Sequence, residues 1–106
     1  MKDEVIFTSD GGRLYAALTV EIDHHTARRI RQMIDEQFFI TGPSELVLDF
    51  RAVRFMDSSG IALILGRAEV ARSKDATLTV KGLSPVLMKL VRLSGVDRVE
   101  NIRIVR

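Results

Sequence analysis

A chain of 106 residues, 46% apolar and 28% charged, is long enough to bury a hydrophobic core and too balanced for disorder. Its 16 basic and 14 acidic residues leave a net charge of +2, too little to imply nucleic acid, and no aromatic platform for bases is evident. The absence of cysteine excludes disulfides, zinc–thiolate sites and thiol nucleophiles, and it fits a reducing compartment.

The length suits one domain over residues 1–106. The longest apolar run, Ile61 to Leu65, falls far short of the ~20 residues a membrane span needs. The start, Met1-Lys2-Asp3-Glu4, carries acids and leads into a strand-like run, unlike a signal peptide. The expectation is a soluble, cytoplasmic, monomeric protein without a membrane or direct nucleic-acid role.

In chain order, Val5–Thr8 reads as a short strand, Asp10-Gly11-Gly12 as a turn, and Arg13–Val20 as an antiparallel second strand. From His24 the period changes. Ala27, Ile30, Ile34 and Phe38 recur three or four apart, predicting an amphipathic helix with Asp23 at its N-cap and Thr41-Gly42-Pro43 at its end. Its Arg28-Arg29-Ile30-Arg31 cluster reads more economically as a solvated face than as a phosphate patch. Leu46–Phe50 is nearly continuous in apolar character, as a strand buried on both faces would be. A second helix opens at Ile61 and runs to about Ser73, apolar almost all round at its start, which predicts the most buried helix. Thr77–Lys81 is a further strand. Ser84 then caps a third helix with Pro85 at its first position and Gly95 at its end, and Ile102–Val105 closes the chain as a strand. The order β-β-α-β-α-β-α-β predicts an α/β fold: one mixed, mostly parallel sheet of about five strands with three helices.

Such a sheet gathers its strand-to-helix loops at the carboxyl ends of the parallel strands: Glu21 to His24, Arg54 to Gly60, and Gly82 to Ser84. Within the second loop, Phe55-Met56-Asp57-Ser58-Ser59-Gly60 places an acid, two hydroxyls and a glycine at a helix start. Free N–H groups and a partial positive charge lie there, so a phosphate on Ser58 would meet donors. On these residues alone, a simple cap by Asp57 or Ser58 accounts for the pattern more economically than a switch does. The acids Glu21, Asp23 and Asp57 on one edge suit a partner presenting arginines. A hydrolase would need His24 or His25 to reach Ser58, but the Gly-x-Ser-x-Gly pattern is missing. A metal site from Asp23, His24 and Asp57 has no recognised ligand spacing, and no glycine-rich phosphate loop is present. Met33, Met56 and Met88 read as core.

Two separated motifs carry a resemblance. Asp23-His24-His25-Thr26-Ala27 and Phe55-Met56-Asp57-Ser58-Ser59-Gly60, continued by Ile64-Leu65-Gly66-Arg67, resemble the anti-sigma factor antagonists of the STAS domain family. Within that family the motifs resemble the sporulation branch. Leu83-Ser84-Pro85 and Leu93-Ser94-Gly95-Val96 match its third-helix start and stop, and the likeness runs from about Val5 to Val105. The resemblance implies a protein partner switch controlling a sporulation sigma factor, with a general-stress or sensing system as the alternative. The unphosphorylated form would bind an anti-sigma factor that is also a serine kinase, which supplies ATP and magnesium; the chain itself would need no cofactor. Phosphorylation of Ser58 would end binding, and a serine phosphatase of the PP2C type would reset it. The implied partner surface is Glu21, Asp23, His24, Asp57, Ser58, Ser59 and Gly60, with no catalytic or metal residues. The chain departs from the family in two places. Ser73-Lys74-Asp75-Ala76 stands where glycines are common, and the sequence stops at the strand that usually precedes a further helix.

Overall fold

The structure is a computed structural model that describes residues 3–106; Met1 and Lys2, which open the acidic start, lie outside them. The elements are β1 (Val5–Asp10), β2 (Arg13–Leu18), α1 (His24–Thr41), β3 (Glu45–Asp49), α2 (Ser58–Arg72), β4 (Thr77–Lys81), α3 (Pro85–Ser94), a 3₁₀ turn (Val96–Arg98) and β5 (Ile102–Ile104). The strands form one five-stranded sheet in the order β1-β2-β3-β4-β5, with β1 antiparallel and the rest parallel.

Local chemistry explains the boundaries. β1 runs to Asp10, beyond the expected Thr8, because Asp10 pairs with Arg13 across a two-residue turn. Gly11 and Gly12 both take positive φ there, 56° and 83°, the backbone such a hairpin turn demands. β2 stops at Leu18, not Val20. Its last parallel pair is Ala17 with Asp49, after which Phe50 turns its N–H to the carbonyl of Lys81. α1 ends as Gly42 enters the left-handed region and donates to the Phe38 carbonyl. The short 3₁₀ turn after Gly95 had no sequence signal.

Register lines up the core. Leu14, Leu46, Leu78 and Ile102 form one row across the sheet, and Ala16, Leu48, Val80 and Ile104 the next. These residues share a core cluster with Ile30, Ile34 and Phe38 of α1, with Leu63, Ile64, Ala68 and Ala71 of α2, and with Leu87 and Val91 of α3. All three helices therefore cover the same face, as right-handed crossovers between successive neighbours require. α2 is the most buried helix, as its apolar start predicted. On the opposite face Val47 is buried between its cross-strand neighbours Tyr15 and Thr79, so β3 is buried on both faces at its centre, while Glu45 and Asp49 at its ends stay partly exposed. Thr79 donates to Glu45, which pairs with Arg13 at 3.2 Å and thereby satisfies the buried hydroxyl. Met33 and Met56 join the core, but Met88 lies half-buried beside Pro85 and Leu93 on the outer side of α3. Among the described residues no helix is long and apolar enough to cross a membrane.

Candidate functional site

The loops before α1 and α2 are joined by backbone. Ile22 N–H donates to the Phe55 carbonyl at 3.0 Å and Asp57 N–H to the Ile22 carbonyl at 3.1 Å, a parallel bridge between Ile22 and Met56. Ile22 and Met56 are both buried, which holds the bridge in place. The next residue on each strand is an N-cap: Asp23 for α1, Asp57 for α2. The two helices therefore start side by side and point the same way, with His24 and Ser58 as their first residues.

Each cap is a carboxylate serving its own helix. Asp23 accepts from the N–H groups of His25 and Thr26, both at 2.9 Å, while the Thr26 hydroxyl accepts from Asp23 N–H at 2.9 Å. These donors, Thr26 N–H foremost, hold the Asp23 carboxyl below its ordinary range. Asp57 accepts from Ser59 N–H at 2.7 Å. The cap is thus Asp57, and α2 begins at Ser58, three residues earlier than the apolar run suggested. Ser58 is exposed, and its hydroxyl makes no hydrogen bond among the described residues. Ser59 is half-buried and turned into a groove between α1 and α2, with His24. Gly60 is buried against Met56, leaving no room for a Cβ.

The predicted residues thus come together at one edge: Glu21, Asp23 and His24 on one loop, Asp57 to Gly60 on the other. The third loop leaves the same end of the sheet and packs on the start of the second. Gly82 lies against Asp49 and Arg51, before the hexamer, and Ser84 caps α3 through Leu87 N–H at 3.2 Å. Strand order runs without reversal, so the sheet has no switch-point crevice of the kind that holds dinucleotides. The edge is an open surface. His24 shares the groove with Ser59, not with Ser58, and its ring packs edge-on against His25 at 5.6 Å. No three metal-ligating side chains converge among the described residues.

The arginine cluster divides. Arg29 turns to β1 and makes two hydrogen bonds to Glu4, at 2.9 and 2.6 Å. Arg28 and Arg31 instead line the α1–α2 groove together with Arg67. Burial of Arg67 at 4% exposure was beyond sequence reading, since arginine on a helix reads as surface.

The STAS domain family model matches residues 8–104. An anti-sigma F factor antagonist of Paenibacillus polymyxa is 33% identical over 88 residues, spanning 83% of this chain and 75% of its own length. An anti-sigma-B factor antagonist of Listeria monocytogenes is 28% identical over 83 residues, spanning 78% and 72%. Among solved structures, the anti-sigma factor antagonist SpoIIAA superposes in its unphosphorylated form with a TM-score of 0.73 at 22% identity, covering 96% of this chain and 87% of that one. The phosphorylated form of the Bacillus protein gives 0.72 at 24%, covering 96% and 91%. With its mixed sheet, three helices and matched span, the chain belongs to the STAS domain family, among the proteins named anti-sigma factor antagonists.

Proposed function

We propose that the chain is an anti-sigma factor antagonist: a binding protein, not a catalyst, which engages an anti-sigma factor through the edge formed by Glu21, Asp23, His24 and Asp57 to Gly60. Phosphorylation of Ser58 by that partner, acting as a serine kinase with its own magnesium–ATP, ends the interaction, and a PP2C-type serine phosphatase restores it. The sigma factor is one for sporulation, in keeping with the 33% identity to an anti-sigma F factor antagonist. The likeness to an anti-sigma-B factor antagonist favours a second reading, a stress-response partner using the same surface.

The observation that carries the proposal is the division of labour at the start of α2. Asp57 caps the helix, so the Ser58 hydroxyl is exposed and uncommitted. A relative solved in both unphosphorylated and phosphorylated forms supports a phosphate-controlled state. Energies place the switch on binding, not on folding. A phosphate at a helix start gains roughly 0.3–2 kcal/mol, part of which Asp57 offsets by repulsion. Burying about two negative charges in a close, partly acidic interface costs several kcal/mol, and about 1.4 kcal/mol is tenfold in affinity.

The test is intact mass and peptide mapping after incubation with the sporulation anti-sigma kinase and magnesium–ATP, with a stress-type kinase in parallel. One phosphate on Ser58, absent in Ser58→Ala and kept in Ser59→Ala, is expected. A phosphate on Ser59 alone would overturn the site. Absence of both modification and complex with either kinase would overturn the function.

A further inference from the structure

We propose that the groove between α1 and α2 is a binding site for a compact oxyanion, a phosphoryl or carboxylate group, held by Arg28, Arg31 and Arg67. The groove encloses about 380 Å³, at the small end of ligand sites. It arises from helix periodicity. His24, Arg28 and Arg31 recur at helical spacing along one stripe of α1, facing Ser59, Gly66 and Arg67 on α2. Gly66 opens it: a Cβ there would meet no atom within 4 Å, so close packing is not what the glycine serves.

Charge in the groove is unbalanced. Arg67 is 4% exposed and has one carboxylate partner, Asp35, with Nε at 2.8 Å from Oδ1. Beyond that ion pair, neither Nε nor Oδ1 has a hydrogen-bond partner, and Nη1 has none either, among the described residues. Arg31 stands close enough to Arg67 and Asp35 to act on both, repelling the first and attracting the second. Arg67 and Arg31 therefore share one carboxylate, and no carboxylate is among the described residues that line the groove with Arg28. A buried, unsatisfied arginine donor is costly, and an oxyanion is the group guanidinium forks match best. The exposed Arg28 and Arg31 give the anion entry and direct contacts, while the buried Arg67 at the inner wall supplies fixed charge. The oxyanion could come from a free small molecule of either chemistry or from an acidic side chain.

The experiment is a titration of the full chain with sodium phosphate and, separately, with succinate, against sodium chloride at matched ionic strength. The readout is the amide resonances of residues 24–31 and 59–67 and the side-chain Nε–H resonance of Arg67. Saturable shifts at these positions are expected, weakened about tenfold or more by Arg28→Ala with Arg31→Ala. Both positions are exposed, so the fold should survive the change. Saturation by phosphate alone assigns a phosphoryl ligand, and saturation by both assigns oxyanion recognition that a carboxylate can satisfy. The proposal is overturned if neither anion exceeds chloride. It is equally overturned if the shifts stay at Ser58 and Ser59 and ignore the arginine changes, since a helix start alone would then explain them.

Discussion

At the residue scale, Ser58 and Ser59 are chemically alike and differ in what surrounds them. Ser58 meets solvent; Ser59 donates its backbone N–H to Asp57 and lies toward His24 in the groove. Ser58→Asp is therefore expected to weaken partner binding at least about 100-fold in calorimetry while moving Tm by only a few degrees, because the charge is added at an exposed helix start. A large loss of Tm would place the effect on folding instead. Asp23 gives a pH prediction. Its folded pKa lies below the unfolded value, so its contribution is present above the ordinary aspartate range and is lost as pH falls through the folded value. Asp23→Asn keeps a capping side chain and removes the titration. Its Tm should fall less steeply than that of the wild type between about pH 6 and about pH 2. Identical slopes would remove Asp23 from the acid response.

At the element scale, two glycines of α2 have opposite meanings that sequence alone does not separate. A Cβ on Gly60 would stand 2.6 Å from the Met56 sulfur and 3.0 Å from its Cβ. Met56 is held by the bridge to Ile22 and cannot retreat easily. Gly60→Ala should cost about 1–3 kcal/mol by overpacking. Gly66→Ala meets open space in a helix interior and should stabilise by about 0.5–1 kcal/mol. Urea denaturation of the pair tests both signs, and equal signs would contradict the packing. The turn from α2 to β4 accounts for the chain's departure from its family: Asp75 takes φ 56°, so the left-handed step that glycine would make freely is made by aspartate, one of the few residues that tolerates it.

At the scale of the whole molecule, α1 and α2 are bound by more than apolar packing, because the Asp35–Arg67 pair lies between them. Burial raises the Asp35 pKa and lowers that of Arg67, so desolvation exceeds what their attraction returns. Asp35→Ala leaves a buried guanidinium without its carboxylate and should cost about 3 kcal/mol. Replacing both, Asp35→Leu with Arg67→Met, should cost clearly less in the same denaturation experiment. A double change as costly as the single one would show that the pair is a net stabiliser.

The elements were legible because their signals are local. Gly11-Gly12 prescribes its hairpin, Ser84-Pro85 and Gly95 bracket α3, and the Ile30-Ile34-Phe38 stripe declares the buried face of α1. The edge that carries Glu21 to His24 and Asp57 to Gly60 was legible as a set of loops, since parallel strands must send them to one end. Three features were decided only by tertiary structure. The choice of Asp57 over Ser58 as the cap rests on the Ile22–Met56 bridge, which joins positions far apart in the chain. The division of Arg28, Arg29 and Arg31 between two faces depends on where β1 and α2 lie beside α1. The burial of Arg67 depends on Asp35 arriving from another helix. Capping, turn and periodicity act within a few residues and can be read from order alone. Charge pairing and exposure depend on which surfaces meet, and only the folded chain sets that.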